Sequence, residues 1–118
     1  MIPLGPATRV FVALEAVDMR KGYDGLYALV AHHLGEDPCS GHLFVFTNSQ
    51  RNRLKILYWD GTGLWVCGKR LEKGRFTWPS PQDPASGKVR LSAARLAMLL
   101  GGIDLGRAKG KAWLRENE

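Results

Sequence analysis

The run His42-Leu43-Phe44-Val45-Phe46-Thr47 constrains the fold more than any other stretch of this chain. A strand with one face in water alternates apolar and polar residues. An unbroken apolar run reads as a strand covered on both sides, and so as a central strand. The rest of the chain must supply the cover. With 118 residues and 45% hydrophobic content, it fits one globular domain. A chain of this size buries roughly 65% of its unfolded surface, enough for a core without staples.

The neighbouring segments follow the same logic. Residues 9–17, from Arg9 through Phe11 to Val17, are rich in β-branched and aromatic side chains and read as a first strand. A helix is expected over about 24–34, with Leu26, Leu29, Val30 and His33 on one face, Tyr27 and Leu34 beside it and Gly35 as its stop. Residues 53–59 and 64–70 flank Asp60-Gly61-Thr62-Gly63 and read as a hairpin. Leu54, Ile56 and Tyr58 share one side of the first arm, and Arg53, Lys55 and Leu57 the other. In the return arm Leu64 and Val66 share a side, and Trp65, Cys67 and Lys69 the opposite one. The proline-bearing stretch 72–87 is irregular. Residues 88–91 form a short strand, and Ser92 caps a last helix, with Leu91 and Leu96 as a hydrophobic staple and Gly101-Gly102 as its end. The expected fold is α+β: a small antiparallel sheet of three to five strands with two main helices packed on one face. Residues 1–105 form the domain and 106–118 a basic tail with a frayed helix near Trp113. The free sheet face is then expected to carry Lys55 and Lys69, with Trp59 or Trp65.

Charge is unevenly placed. Of the net +6, residues 51–78 carry +5: Arg51, Arg53, Lys55, Lys69, Arg70, Lys73 and Arg75 stand against Asp60 and Glu72. A basic zone attracts a polyanion, because its cations release condensed counterions from phosphates. It also serves as a solvated face. Two cysteines far apart exclude a disulfide framework and a four-cysteine zinc site. No apolar run nears the ~20 residues of a membrane span. Met1-Ile2-Pro3-Leu4-Gly5 lacks the basic start and apolar stretch of a secretory signal. A cytoplasmic setting without membrane contact is expected.

Several blocks in series carry a resemblance. They are residues 18–26 (Asp18-Met19-Arg20-Lys21-Gly22-Tyr23-Asp24-Gly25-Leu26), 40–46, 57–61, 69–79 and 96–104. In order and spacing the chain resembles, over roughly residues 1–104, the small TnpB accessory protein of insertion sequences in group sixty-six. That family is distinct from the RNA-guided nucleases sharing the name. The resemblance implies a bacterial accessory role in transposition beside a separate transposase. It carries no catalytic residue and no cofactor onto this chain. The tail after Asp104 goes beyond the common pattern.

Catalytic readings compare poorly with plain ones. Asp18, Asp24, Asp60, Glu72 and Asp104 are the carboxylates that could hold metal ions for strand transfer, but the first three sit beside glycines or in turns, where Asp is a cap or turn former. His32, His33, Cys39 and His42 match no compact zinc spacing. Cys67 in a strand reads as a small core residue. No catalytic residue, metal or cofactor is therefore assigned. The stronger lead is the basic hairpin. Arg51, Arg53, Lys55, Lys69, Arg70, Lys73 and Arg75 are the candidate phosphate contacts. Trp59, Trp65 and Trp78 are candidates for base stacking or partner contact. Arg20 and Lys21 precede Gly22 at a helix entrance and could meet a phosphate, although pairing of Arg20 with Asp18 or Asp24 is the favoured alternative. The expected function is a non-catalytic accessory of insertion-sequence DNA transposition, binding DNA through the hairpin. The rival is an adaptor that docks the transposase without touching DNA.

Overall fold

A computed structural model describes residues 5–80 and 84–101. It contains five strands and two helices: β1 (Val10–Ala13), α1 (Tyr23–His32), β2 (Leu43–Thr47), β3 (Arg53–Trp59), β4 (Leu64–Arg70), β5 (Lys88–Leu91) and α2 (Ala93–Leu100), with a 3-10 turn at Pro84–Ser86. The strands form one sheet in the order β4-β3-β2-β1-β5. The fold is α+β. The tail 106–118 and the proposed helix near Trp113 lie outside the described residues.

The apolar run is β2, and every residue of it is buried. It pairs with β1 in parallel, Val10 opposite Leu43 and Val12 opposite Val45. The expected sheet was antiparallel; this ladder is the exception. A parallel pair needs a long crossover, and the segment containing α1 supplies it. β5 closes the other side of β1 antiparallel, Val10 opposite Leu91. β3 and β4 extend the far side as antiparallel neighbours.

The two helices do not share a face of the sheet, contrary to the expectation. α1 packs Leu26 and Val30 with Phe11, Phe44, Phe46 and Leu57. α2 packs Leu96 and Leu99 with Val10, Val12, Val45 and Ile56 on the opposite side, where Phe76 and Trp78 join them. The cause lies in β1 and β2, which are apolar on both sides. Each large side chain left in water would forgo about 1.5–3 kcal/mol, so both faces must be covered.

Local signals hold. The Ser92 hydroxyl accepts the Arg95 N–H at 3.1 Å and caps α2, and Leu91 and Leu96 meet in the same core cluster. Gly35 takes φ 65° after α1, where a side chain would be strained. α1 itself begins after Gly22 with no side-chain cap, and its His33 is exposed.

Candidate nucleic-acid interface

The hairpin turn is built around one carboxylate. Asp60 Oδ1 accepts the Thr62 N–H (2.8 Å), the Thr62 hydroxyl (2.9 Å) and the Gly63 N–H (2.9 Å). Its Oδ2 accepts the Trp65 indole N–H at 2.7 Å. Gly61, at φ 102°, allows the reversal. The Trp65 bond, followed by those from Thr62 and Gly63, holds the Asp60 carboxyl far below the usual carboxylate range.

The turn fixes the register, and the register decides where the cations point. Arg53 stands opposite Arg70, Leu54 opposite Lys69, and Lys55 opposite Gly68. Directly opposed residues share a face, and successive residues alternate. Arg53, Lys55 and Arg70 therefore project on the α1 side. Lys69 projects on the α2 side, with Trp65 and Cys67. The expectation that Lys55 and Lys69 share a free face is thus corrected, since they are displaced by one residue in register. There is also no bare sheet face, because each carries a helix.

On the α1 side three cations remain together. Arg53, Lys55, Gly68 and Arg70 line a cleft of about 330 Å³ together with Met19, Leu54 and Lys69. Lys55 Nζ donates to the Lys21 carbonyl at 2.8 Å, which brings the strand up to the entrance of α1. Arg70 makes a 3.3 Å ion pair with Glu72, both side chains largely in solvent, a contact of little strength. Arg53 is exposed and makes no ion pair among the described residues. Like charges directly opposed on neighbouring strands are unfavourable, and the register concentrates two guanidinium groups at this place. A larger cleft of about 420 Å³ is lined by Glu15, Asp18, Lys21 and His33. Its mixed charges do not select an anion.

The other candidates divide. Lys69 donates its ammonium to the Leu100 carbonyl at the end of α2. Lys73 and Arg75 are exposed on the loop after β4. Arg51 is half-buried in a left-handed conformation, φ 56°. Its guanidinium lies 6.0 Å from the Trp78 ring centroid, and its carbonyl accepts the Phe76 N–H at 2.6 Å. Arg51 thus anchors the 71–78 segment. Trp78 is buried and donates its indole N–H to the Ala13 carbonyl at 2.8 Å, so it is a core residue and not a stacking surface. Trp59 is half-buried. Trp65 is 47% exposed.

Arg20 is engaged by Asp18: the Arg20 guanidinium donates to the carboxylate at 2.7–3.1 Å, and its backbone N–H adds a 2.9 Å bond. These bonds, the side-chain ones first, hold Asp18 at a pKa of about 2. Lys21 is exposed. Sequence reasoning missed the Asp60–Trp65 tether and the exposed Tyr23 on α1. The available signal for the tether was an Asp-Gly turn five residues before a tryptophan.

His42 Nδ1 accepts the Arg9 N–H at 3.0 Å. Cys39 and Cys67 are free and half-buried. Among the described residues no group of three or more His, Cys, Asp or Glu could hold a metal ion. No helix among them is long and apolar enough to cross a membrane.

Comparison with known proteins gives one family. The family described as IS66 Orf2 like protein (TnpB_IS66) matches residues 8–110. Two relatives come from Sinorhizobium fredii (strain NBRC 101917 / NGR234). Uncharacterized protein y4jC is 39% identical over 110 residues, covering 92% of each chain. Uncharacterized protein y4hO is 40% identical over 104 residues, covering 88% of each. No solved structure matches.

Proposed function

The chain belongs to the IS66 Orf2-like family, and from that premise we propose a non-catalytic accessory protein of insertion-sequence DNA transposition that binds nucleic acid through its β3–β4 hairpin. The observation that carries this reading is the opposed pair Arg53 and Arg70, with Lys55 beside them in one cleft. These cations hold phosphates and set position along the backbone without reading sequence. Lys73 and Arg75, exposed on the following loop, extend the contact. Lys69 acts from the opposite face, and Arg51 serves the fold. The partners are DNA and the transposase of the same element.

The test is a titration with the element's terminal DNA at several salt concentrations. Replacing Arg53 and Arg70 together by Gln weakens binding across sequences and lowers the salt slope by about 2, close to one per lost phosphate contact. A wild-type protein that binds no DNA at low salt, alone or with the transposase, removes the reading.

A second reading rests on β4 as the open edge of the sheet. Its outward backbone groups could pair with a strand of the transposase, making the protein an adaptor. Capture of the transposase that survives charge reversal at Arg53, Lys55 and Arg70 favours this reading.

A further inference from the structure

Trp65 differs from the other described tryptophans in being both exposed and fixed. Its indole N–H is held by Asp60 Oδ2 at 2.7 Å. Asp60 is itself held by three bonds from Thr62 and Gly63. The Trp65 ring lies parallel to that of Tyr58, with 5° between planes and 6.0 Å between centroids, in the displaced stack that aromatic pairs prefer. Tyr58 is 3% exposed and belongs to the core, so it is a firm base. One side of the indole is thus covered, while 47% of the residue meets solvent. Tyr23 is more exposed, at 54%, but no hydrogen bond or ring contact among the described residues fixes its ring.

An aromatic plane already ordered loses little freedom on meeting a ligand. Because its one donor is used by Asp60, the ring offers a π-face without hydrogen-bond readout. Such a surface takes bases of any identity, provided they are unpaired. Lys69 lies on the same face of the same strand, and Arg70 on the other face, both at the β4 edge of the sheet. We infer that Trp65 is a preorganised stacking platform for unpaired bases, which makes single-stranded nucleic acid the preferred ligand of the hairpin. This inference rests on the nucleic-acid reading above and names its substrate class.

The experiment compares a labelled oligothymidylate with a blunt duplex of equal length, by fluorescence anisotropy at low salt, using the full chain. The wild type binds the single strand more tightly. Trp65→Leu lowers single-strand affinity about 5- to 150-fold, the range of one lost base stack, and leaves duplex affinity within about twofold. Trp65→Phe keeps most of the single-strand affinity, and Asp60→Asn, which loosens the ring, falls between. Thermal melting verifies that each variant is folded. If Trp65→Leu melts below the assay temperature, Trp65→Phe and Asp60→Asn carry the same ranking. Equal single-strand affinity in wild type and folded variants overturns the platform. If the Arg53→Gln/Arg70→Gln protein meanwhile loses both DNA forms, the phosphate reading survives that failure. A wild type that binds neither form overturns both.

Discussion

The sheet ends in two edge strands, β4 and β5, both rich in Lys and Arg and built to opposite effect. β5 is four residues long; of its two cations Lys88 is half-buried and turned inward, while Arg90 is exposed. Lys88 Nζ donates to the Leu34 carbonyl at 2.6 Å, pairs with Glu36 at 3.1 Å and lies 5.9 Å from the Phe11 ring centroid. One side chain thereby ties the edge to the end of α1. β4 has seven residues, and Gly68, Lys69 and Arg70 at its end are all exposed. Arg70 faces Arg53, and its one ion pair among the described residues is with a solvated glutamate. The contrast shows why a charge count is a poor guide to binding. Lys88 is half-buried against acceptors within the molecule and belongs to the architecture, whereas Arg70, opposed by a second cation and paired through solvent-exposed atoms, keeps its charge toward water.

The largest effect belongs to β5. Lys88→Met keeps the alkyl stem over Phe11 but leaves the Leu34 carbonyl and the Glu36 carboxylate short of a partner. Unfolding in urea is expected to show a loss of about 1–3 kcal/mol. The Arg53→Gln/Arg70→Gln protein is expected to stay within about 0.5 kcal/mol of wild type, or to gain slightly. The reverse order of these two would break the comparison.

A smaller effect sharpens it. A Cβ at Gly68 would meet the Leu54 carbonyl at 3.8 Å and the Lys55 Cγ at 4.0 Å, ordinary contacts. Gly68→Ala is expected to stabilise the protein by about 0.5 kcal/mol, seen as a rise of a few degrees in melting temperature, since a strand glycine costs conformational entropy. A loss would mean that β4 needs its glycine.

The smallest expected effect is an invariance. Asp60 titrates far below its unfolded value near 4. A depressed carboxylate contributes fully above the unfolded pKa and is lost as pH falls through the folded one. The Trp65 indole N–H resonance should therefore hold its position from pH 7 to 4 and move only in stronger acid. Movement near pH 4 would show that the tether is loose.

The readable parts of this fold were local. The apolar run of β2, the Ser92 cap, the Asp60-Gly61 turn and the Arg20–Asp18 pairing all depend on residues close in sequence. The side taken by each helix does not. The two-sided character of β1 and β2 requires two covers without naming them, and only tertiary packing assigns α1 to Phe11 and α2 to Val10. The tryptophans make the same point. Trp65 and Trp78 are alike in composition, yet Trp78 is buried by a bond to Ala13, sixty-five positions away, whereas Trp65 answers to a turn beside it. The separation of Lys55 from Lys69 lay within reach, since the alternation in both arms was plain. What was lacking was the register that the Asp60 turn imposes.

The β1–β5 ladder joins residues 10–13 to residues 88–91, and this bears on how the protein is made. The strand that completes the sheet emerges after the other four described strands. Until then a nascent chain holds β1 with an unpaired border and Val10, Val12 and Val45 without α2 above them. Such non-local closure is slow, and unpaired borders invite aggregation. A chain truncated before Lys88 should therefore yield a fragment that is cleared or precipitates, and not a smaller version of the protein.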